Sequence, residues 1–451
     1  MSGRGSFGSR LGIVLATAGS AVGLGNVWRF PYMAGQNGGA AFILIYLGCI
    51  VVLGIPGMVS EFIVGRHSQT NAARAYASFS QGRAWGAIGI LGILTSAVIL
   101  GFYAVVAGWC LHYLGVSAIG GLRGDAGYAE QYFQTFSSDP VKPAVLGIVF
   151  ILITHFVVVR GVQRGIERVS KVLMPLLLIL LLLIVGASCS LPHAWRGVEF
   201  LLKPDFSKVS GNVVLEALGQ AFFSLSLGTA CLCTYASYFS RHTHLLSSAA
   251  QIAIVDFLIA LLAGLMIFPA VFSVGVKPDS GPSLIFITLP SVFQQAFAFL
   301  PGLGYVVAVL FYALLVFAAL TSTISMHEIG TAFFHEEWHI SRRWAAWILT
   351  VGCSVLAVFC SLSVGRPDIE LFGLPLMDFC DKLTAQVMLP VGAMLTSVLV
   401  GWVAPRAMVR SEFTNWETSG MKGLYGFYMF CVRYVVPVCI LLILMHQFEV
   451  I

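Results

Sequence analysis

Apolar runs of membrane-crossing length recur along the whole chain, near residues 10–34, 40–65, 86–114, 143–160, 166–188, 213–238, 247–275, 302–333, 342–361, 377–403 and 423–447. A transmembrane helix needs roughly 20 apolar residues, whereas a barrel strand needs about half that number and alternates in polarity. Eleven such runs predict an all-α polytopic membrane protein, because lipid offers no hydrogen-bond partner to any other open backbone. The composition agrees: charged residues are 10% of the chain and the mean hydropathy is +0.90, where a soluble chain would carry about 25% charge. The first run is too long for a cleaved leader and no small-residue cleavage site interrupts it, so it is read as a retained span. Between the runs, residues 115–142 form a long polar loop. Residues 279–300, with Pro282 and Pro290 and followed by Pro301, are expected to form short re-entrant or lid-like helices.

The basic residues set an orientation. With a cytoplasmic N-terminus, fifteen lie inside, seven lie outside and three (Arg29, Lys382 and Arg433) lie within helices, which accounts for all 25. The eleven spans then place the C-terminus outside. The net charge of +5 is spread over loops and leaves no nucleic-acid footprint. Seven of the ten cysteines fall in apolar runs and read as small buried hydrophobes, not as a disulfide framework or a zinc site. No nucleophile–base constellation or phosphate loop marks an enzyme, and no obligate protein partner is evident. The lipid bilayer and a small-molecule substrate are the expected partners.

The first span is interrupted by "SAVGLGN", residues 20–26, and the sixth by "SLSLGTA", residues 224–230. Glycine inside a helix costs about 1 kcal/mol relative to alanine. Glycines in membrane helices can serve packing alone. Paired interruptions five helices apart, each flanked by polar residues, point instead to the binding site of a secondary transporter built from inverted repeats. The unwound segments would free backbone carbonyls for a cation and helix N-termini for a carboxylate. On this reading the first repeat covers residues 10–188, the second 213–403, and helix 11 (423–447) is an addition, all in one transmembrane domain.

The blocks "GSAVGLGNVWRFPY", "NGGAAF", "GIPGMVSEFIVGR", "RGIERVSKVLMP", "QAFFSLSLG", "TYASY" and "LTSTIS" resemble the signatures of the neurotransmitter:sodium symporters, and among these the bacterial amino-acid members of LeuT type. The resemblance runs nearly end to end. It implies the LeuT fold, with a 5+5 inverted repeat, and a sodium-coupled symporter of neutral, hydrophobic amino acids. A sensor of the same fold with little transport is the alternative, and a channel the third reading. The resemblance implies two sodium sites. The first would use the Ala21 carbonyl, Asn26, Ser224, Asp256 and the substrate carboxylate. The second would use carbonyls of Gly19, Val22 and Ala318 with the hydroxyls of Thr321 and Ser322. In isolation those hydroxyls read equally as helix–helix hydrogen bonds.

The resemblance also implies that Tyr103 binds the substrate carboxylate beside Ala21, Gly23 and Gly25, and that Ile99, Phe223, Ser224, Ser226, Thr229, Ser322 and Met326 line the rest of the substrate site. Phe223 would be a thin extracellular gate, closed over by an Arg29–Asp378 ion pair. Arg4 and Glu336, with Tyr238 nearby, would close the inner side, where Phe7 replaces the family's usual Trp. Gly165 and Pro175 would let helix 5 unwind during inward opening. Gly23 stands where amine-transporting relatives carry an Asp, so the substrate should bring its own carboxylate. Thr229 replaces a bulkier Phe of the leucine-preferring relative, which leaves room for aromatic side chains. Asp256 stands where many relatives have Asn, and Tyr46, Gln220 and Ser224 resemble the rest of the animal chloride site. A fixed negative charge at Asp256 could therefore stand in for chloride. Glu61, a lone carboxylate in helix 2, is read as a protonated or hydrogen-bonded structural group near the two interruptions, with direct ion coupling as the alternative.

Overall fold

Each span carries apolar residues right round its helix, so packing decides which side faces the bundle. In α5 (Val162–Cys189), Leu177, Leu180, Leu181 and Ile184 are buried, while Leu176, Leu178, Ile179, Leu182 and Leu183 lie open. A continuous apolar face of that size is unfavourable in water and suits lipid. The computed structural model describes residues 5–79, 83–122, 126–275, 284–300, 302–366, 368–417 and 422–448. Within them, nine helices are long and apolar enough to cross a membrane. Besides α5 they are α2 (Ala40–Ser68), α3 (Gly86–Ala118), α4 (Lys142–Val159), α7 (Leu245–Ser273), α8 (Leu303–Glu337), α9 (Arg342–Ser363), α10 (Leu376–Val403) and α11 (Tyr425–Gln447). A tenth span is bent by 55° between α1a (Arg10–Ala21) and α1b (Gly25–Gln36). The remaining apolar run is divided into α6a (Gly211–Ser224) and α6b (Cys231–Ala236), with residues 225–230 irregular between them.

Short elements decorate the spans. The polar loop after α3 carries a helix, Ala126–Ser137, and the loop after α5 carries another, Ala194–Leu202. Of the expected lid-like pair, Thr288–Ala296 is a helix that includes Pro290; Pro282 and Pro301 lie outside the described residues. A two-stranded antiparallel hairpin, Glu370–Leu371 with Leu374–Pro375, precedes α10, and a helix at Arg406–Phe413 follows it. All ten cysteines are free thiols. In the bundle α3 packs on α8 and α4, α9 closes against α4 and α3, and α1a runs between α5, α7 and α8. The two interrupted spans thus meet in the interior, walled by complete helices.

Candidate functional site

The interruption in α1 is held open by side chains of α1b and of other helices. The helix stops at Ala21, and Val22 is extended (ψ 104°). The amide of Gly23 then donates to Asn26 Oδ1 (3.1 Å) and that of Leu24 to the Tyr103 hydroxyl (3.0 Å). The Val22 carbonyl accepts from Thr321 Oγ1 and Ser322 Oγ, each at 3.4 Å. Thr321 Oγ1 also lies 2.9 Å from the Ala318 carbonyl. Non-helical backbone at this depth is tolerated when protein groups satisfy it in this way. The glycines are there for close approach. A Cβ on Gly23 would sit 2.6 Å from Ser322 Oγ and 3.1 Å from the Tyr103 hydroxyl; one on Gly25 would sit 3.0 Å from the Phe223 ring; one on Gly19 would sit 3.2 Å from Thr321 Cβ.

A second polar group surrounds Asp256, which is fully buried on α7. Its Oδ1 accepts from Asn26 Nδ2 (2.7 Å), and its Oδ2 accepts from Ser224 Oγ (2.7 Å) and the Tyr46 hydroxyl (3.3 Å). Asn26 Nδ2 reaches Ser224 Oγ as well (3.3 Å). The side chains that reach the two carboxylate oxygens, Asn26, Ser224 and Tyr46, can each donate to an ionised carboxylate. Four residues before Ser224 on the same helix, Gln220 is fully buried, and both polar atoms of its amide lack a protein partner.

The interruption in α6 is more strained. Ser226 (φ 53°), Gly228 (φ 82°) and Ala230 (φ 59°) are all left-handed. Gly228 cannot be replaced freely, because a Cβ there would lie 2.2 Å from the Leu389 carbonyl. Its amide donates to Glu61 Oε1 (2.7 Å), which places the lone carboxylate of α2 against the α6 interruption. Ser226 Oγ donates to the Ser20 carbonyl (3.3 Å) and so ties the two interruptions together. The Thr229 carbonyl accepts from Ser96 (2.7 Å), its hydroxyl donates to the Ser226 carbonyl (2.7 Å), Ile99 is buried, and Met326 is partly buried.

The outer side departs from the expected pairing. The Arg29 guanidinium lies over the Phe223 ring, 4.4 Å from its centroid. The carboxylates that bear on it are Asp381 and Glu216, and Asp378 bears on Asp381 instead. Asp381, the first of these, lies one helical turn beyond Asp378. Positions i and i+3 share a helix face, so the sequence alone did not distinguish the two.

On the side that carries the N-terminus, Arg4 lies outside the described residues. Glu336 Oε2 accepts from the backbone (2.7 Å) and side chain (3.1 Å) of Asn71. The Tyr238 hydroxyl donates to Glu328 (2.7 Å), which also pairs with Arg342. Phe7 packs edge-on against Tyr235 and Tyr238, with centroids 5.8 and 6.2 Å apart. Gly165 is required by packing, since a Cβ there would meet the Val157 carbonyl at 2.1 Å. It sits in the widened turn Val162–Glu167 that opens α5, ten residues before Pro175.

Three arrangements escaped the sequence reading. Glu167, at the start of α5, clamps the segment before α1a, accepting from the Gly8 amide (2.6 Å), Ser9 Oγ (2.9 Å) and Lys171 (2.6 Å). Arg66, at the end of α2, is 3% exposed and binds Glu412 Oε2 (2.7 Å), Asn415 Oδ1 (2.9 Å) and the Thr243 carbonyl (2.5 Å). His155, Thr350, His327 and Thr331 form a hydrogen-bonded chain linking α4, α9 and α8. Only the charged pattern "GRH" at the end of α2 offered any signal, since the partners lie far away in sequence.

Comparison with known proteins identifies the family. Residues 4–125 and 141–451 match the model of the sodium:neurotransmitter symporter family. The chain is 40% identical over 443 residues to the uncharacterized sodium-dependent transporter YhdH of Bacillus subtilis, covering 97% of this chain and 96% of that protein. It is 32% identical over 454 residues to an uncharacterized sodium-dependent transporter of Haemophilus influenzae, covering 98% and 97% respectively. Among solved structures, the crystal structure of MhsT in complex with L-phenylalanine superposes with a TM-score of 0.88 at 38% identity, over 99% of this chain and 100% of that one. The chain therefore belongs to the sodium:neurotransmitter symporter family, a family of transporters, and it is a sodium-dependent, multi-pass membrane protein of the LeuT fold.

Proposed function

We propose that the protein is a sodium-coupled symporter of neutral, hydrophobic L-amino acids, aliphatic to aromatic, that works by alternating access without chloride. It would sit in a bacterial inner membrane with its N-terminus in the cytoplasm and its C-terminus outside. The observation that carries the reading is the convergence at the α1 interruption. There an oxygen set (Val22, Ala318, Thr321, Ser322) and a second one (Asn26, Ser224, Asp256) gather at an unwound segment whose Gly23 has no room for a side chain.

Two sodium ions fit this chemistry, because carbonyls, hydroxyls, an amide oxygen and a carboxylate are hard oxygen ligands and the hydroxyls rotate to present lone pairs. The first ion would be held by the Ala21 carbonyl, Asn26, Ser224, Asp256 and the substrate carboxylate, and the second by Gly19, Val22, Ala318, Thr321 and Ser322. The substrate carboxylate would meet the Tyr103 hydroxyl and the unwound backbone at Ala21, Gly23 and Gly25. With no acid at position 23, a carboxylate-free amine would have no counter-charge. Ile99, Phe223, Ser226, Thr229 and Met326 would take the side chain, and the phenylalanine held by MhsT, a relative at 38% identity, supports an aromatic one. Phe223 and Arg29, with Asp381 as the acid, would close the outer side. The Arg4–Glu336 pair and Tyr238 would close the inner side, and unwinding of α5 between Gly165 and Pro175 would let water reach the second ion. Residues 10–188 and 213–403 would be the inverted repeats and 423–447 the added helix.

The test is uptake of labelled phenylalanine and leucine into proteoliposomes under an imposed sodium gradient. Accumulation against the amino-acid gradient is expected. Sodium-dependent binding without accumulation would identify a sensor instead.

A further inference from the structure

Three arginines gather at the junction of α4 and α5. Arg160 caps the C-terminus of α4, Gly161 turns the chain with φ 88°, and Arg164 and Arg168 follow one helical turn apart. Together with Val169, Val172 and Leu173 they line an open cavity of about 670 Å³. All three arginines are exposed, and among the described residues no carboxylate pairs with them. The acid between them in sequence, Glu167, is 2% exposed and turned inward, where Lys171, Ser9 and the Gly8 amide occupy it. Beyond the arginines large apolar side chains are open: Phe156 of α4 is 59% exposed, Val172 61% and Ile179 54%. The cavity therefore has a cationic rim and an apolar wall that continues onto the lipid-facing side of the bundle.

A soluble anion would use the rim and leave the wall idle. A molecule with a phosphate at one end and acyl chains at the other would use both. Basic pockets between helices on the cytoplasmic side recognise anionic lipid headgroups by this combination. We propose that this groove binds an anionic phospholipid of the cytoplasmic leaflet, with its phosphate held by Arg160, Arg164 and Arg168 and an acyl chain along Val169, Val172 and Leu173. The leaflet rests on the orientation given under Proposed function. The consequence is conformational. The widened turn Val162–Glu167 lies between Arg160 and Arg168, so one headgroup gripping all three braces the segment that begins α5. Bound lipid would favour the wound form of the hinge, and a neutral bilayer would release it.

The experiment compares the parent with a triple variant, Arg160→Gln, Arg164→Gln and Arg168→Gln, in nanodiscs of phosphatidylcholine with or without phosphatidylglycerol. Retained lipids are counted by native mass spectrometry. The parent should retain phosphatidylglycerol selectively, and the variant should lose that selectivity by at least about tenfold, given the attraction of each basic side chain to an anionic surface. A triple Arg→Lys variant should keep most of it. Phosphatidylglycerol should also slow amide hydrogen exchange over residues 161–168 in the parent and not in the variant. Sodium-dependent amino-acid binding in neutral detergent should be the same in both, which tests the fold and separates this proposal from the transport reading. If the triple variant does not fold, the single exchange Arg164→Gln is read in the same way. Equal phosphatidylglycerol retention by parent and variant overturns the lipid site. So does inorganic phosphate that reproduces the exchange protection in phosphatidylcholine alone, since that marks a soluble-anion site.

Discussion

If Asp256 is the internal counter-charge proposed above, Asp256→Asn removes one negative charge from the interior and leaves the shape of the side chain almost unchanged. The carboxylate accepts hydrogen bonds from Asn26, Ser224 and Tyr46 at 2.7, 2.7 and 3.3 Å. In the variant the amide oxygen can keep the bond from Asn26, and the hydroxyls of Ser224 and Tyr46 can rotate to accept from the new amine. The bonds therefore survive in number, and each weakens by about 1 kcal/mol as a charged partner becomes neutral. The loss of charge at the proposed first sodium site matters more. At about 4 Å and an effective dielectric of about 20, a unit charge pair is worth roughly 4 kcal/mol. That corresponds to sodium affinity lower by a factor on the order of a thousand.

Chloride should recover part of this loss, because Tyr46 and Ser224 remain as donors and the buried Gln220 amide has no protein partner to compete. The assay is the sodium dependence of phenylalanine binding and uptake, measured in chloride and in gluconate. The parent should be indifferent to the anion. The variant should be nearly inactive in gluconate, with partial activity in chloride. A strong chloride requirement in the parent, or a parent-like sodium midpoint in the gluconate-bathed variant, would refute the idea that this carboxylate is the internal counter-charge.

Three other outcomes are expected. Replacing Thr321 and Ser322 together by Ala strips both hydroxyls from the Val22 carbonyl, and the sodium midpoint of uptake should rise at least about tenfold, since each hydrogen bond or ligand contact is worth about 1 kcal/mol; an unchanged midpoint counts against the second sodium site. Pro175→Ala restores a backbone donor inside α5 and should slow turnover while amino-acid binding from outside persists; uptake as fast as the parent's would make this a static kink. Glu412→Gln breaks a buried ion pair with Arg66 and should cost about 3–5 kcal/mol of stability, read as a fall in the thermal midpoint. Burial pushes the Glu412 carboxyl up, but its hydrogen bond with His67 and the Arg66 charge outweigh burial and hold it below the usual carboxylate range. A depressed value stabilises the fold above the unfolded carboxylate range, and that stabilisation is lost as pH falls through the folded value. The parent should therefore lose this increment below about pH 4, and the Gln variant should have none of it to lose.

The sequence by itself determined the membrane helices, the two interruptions and the chemistry gathered beside them. Those depend on local composition: a run of apolar residues can only be a helix in lipid, and glycines flanked by Ser, Asn and Thr mark where that helix gives way. The helix within 126–137 was harder to read, because its amphipathic pattern lies in a segment short of apolar residues. Tertiary structure alone decided which groups meet. It brought Asp381 rather than Asp378 within electrostatic reach of Arg29, a choice between two acids on one helix face. It carried Glu412 to Arg66 across 346 residues and Glu167 to Ser9 across 158, pairings that leave no periodic trace in the chain. It also revealed why particular glycines cannot change. Gly23 lies against Ser322 and Tyr103, and Gly228 against the Leu389 carbonyl; these are close approaches that only the packed bundle brings about.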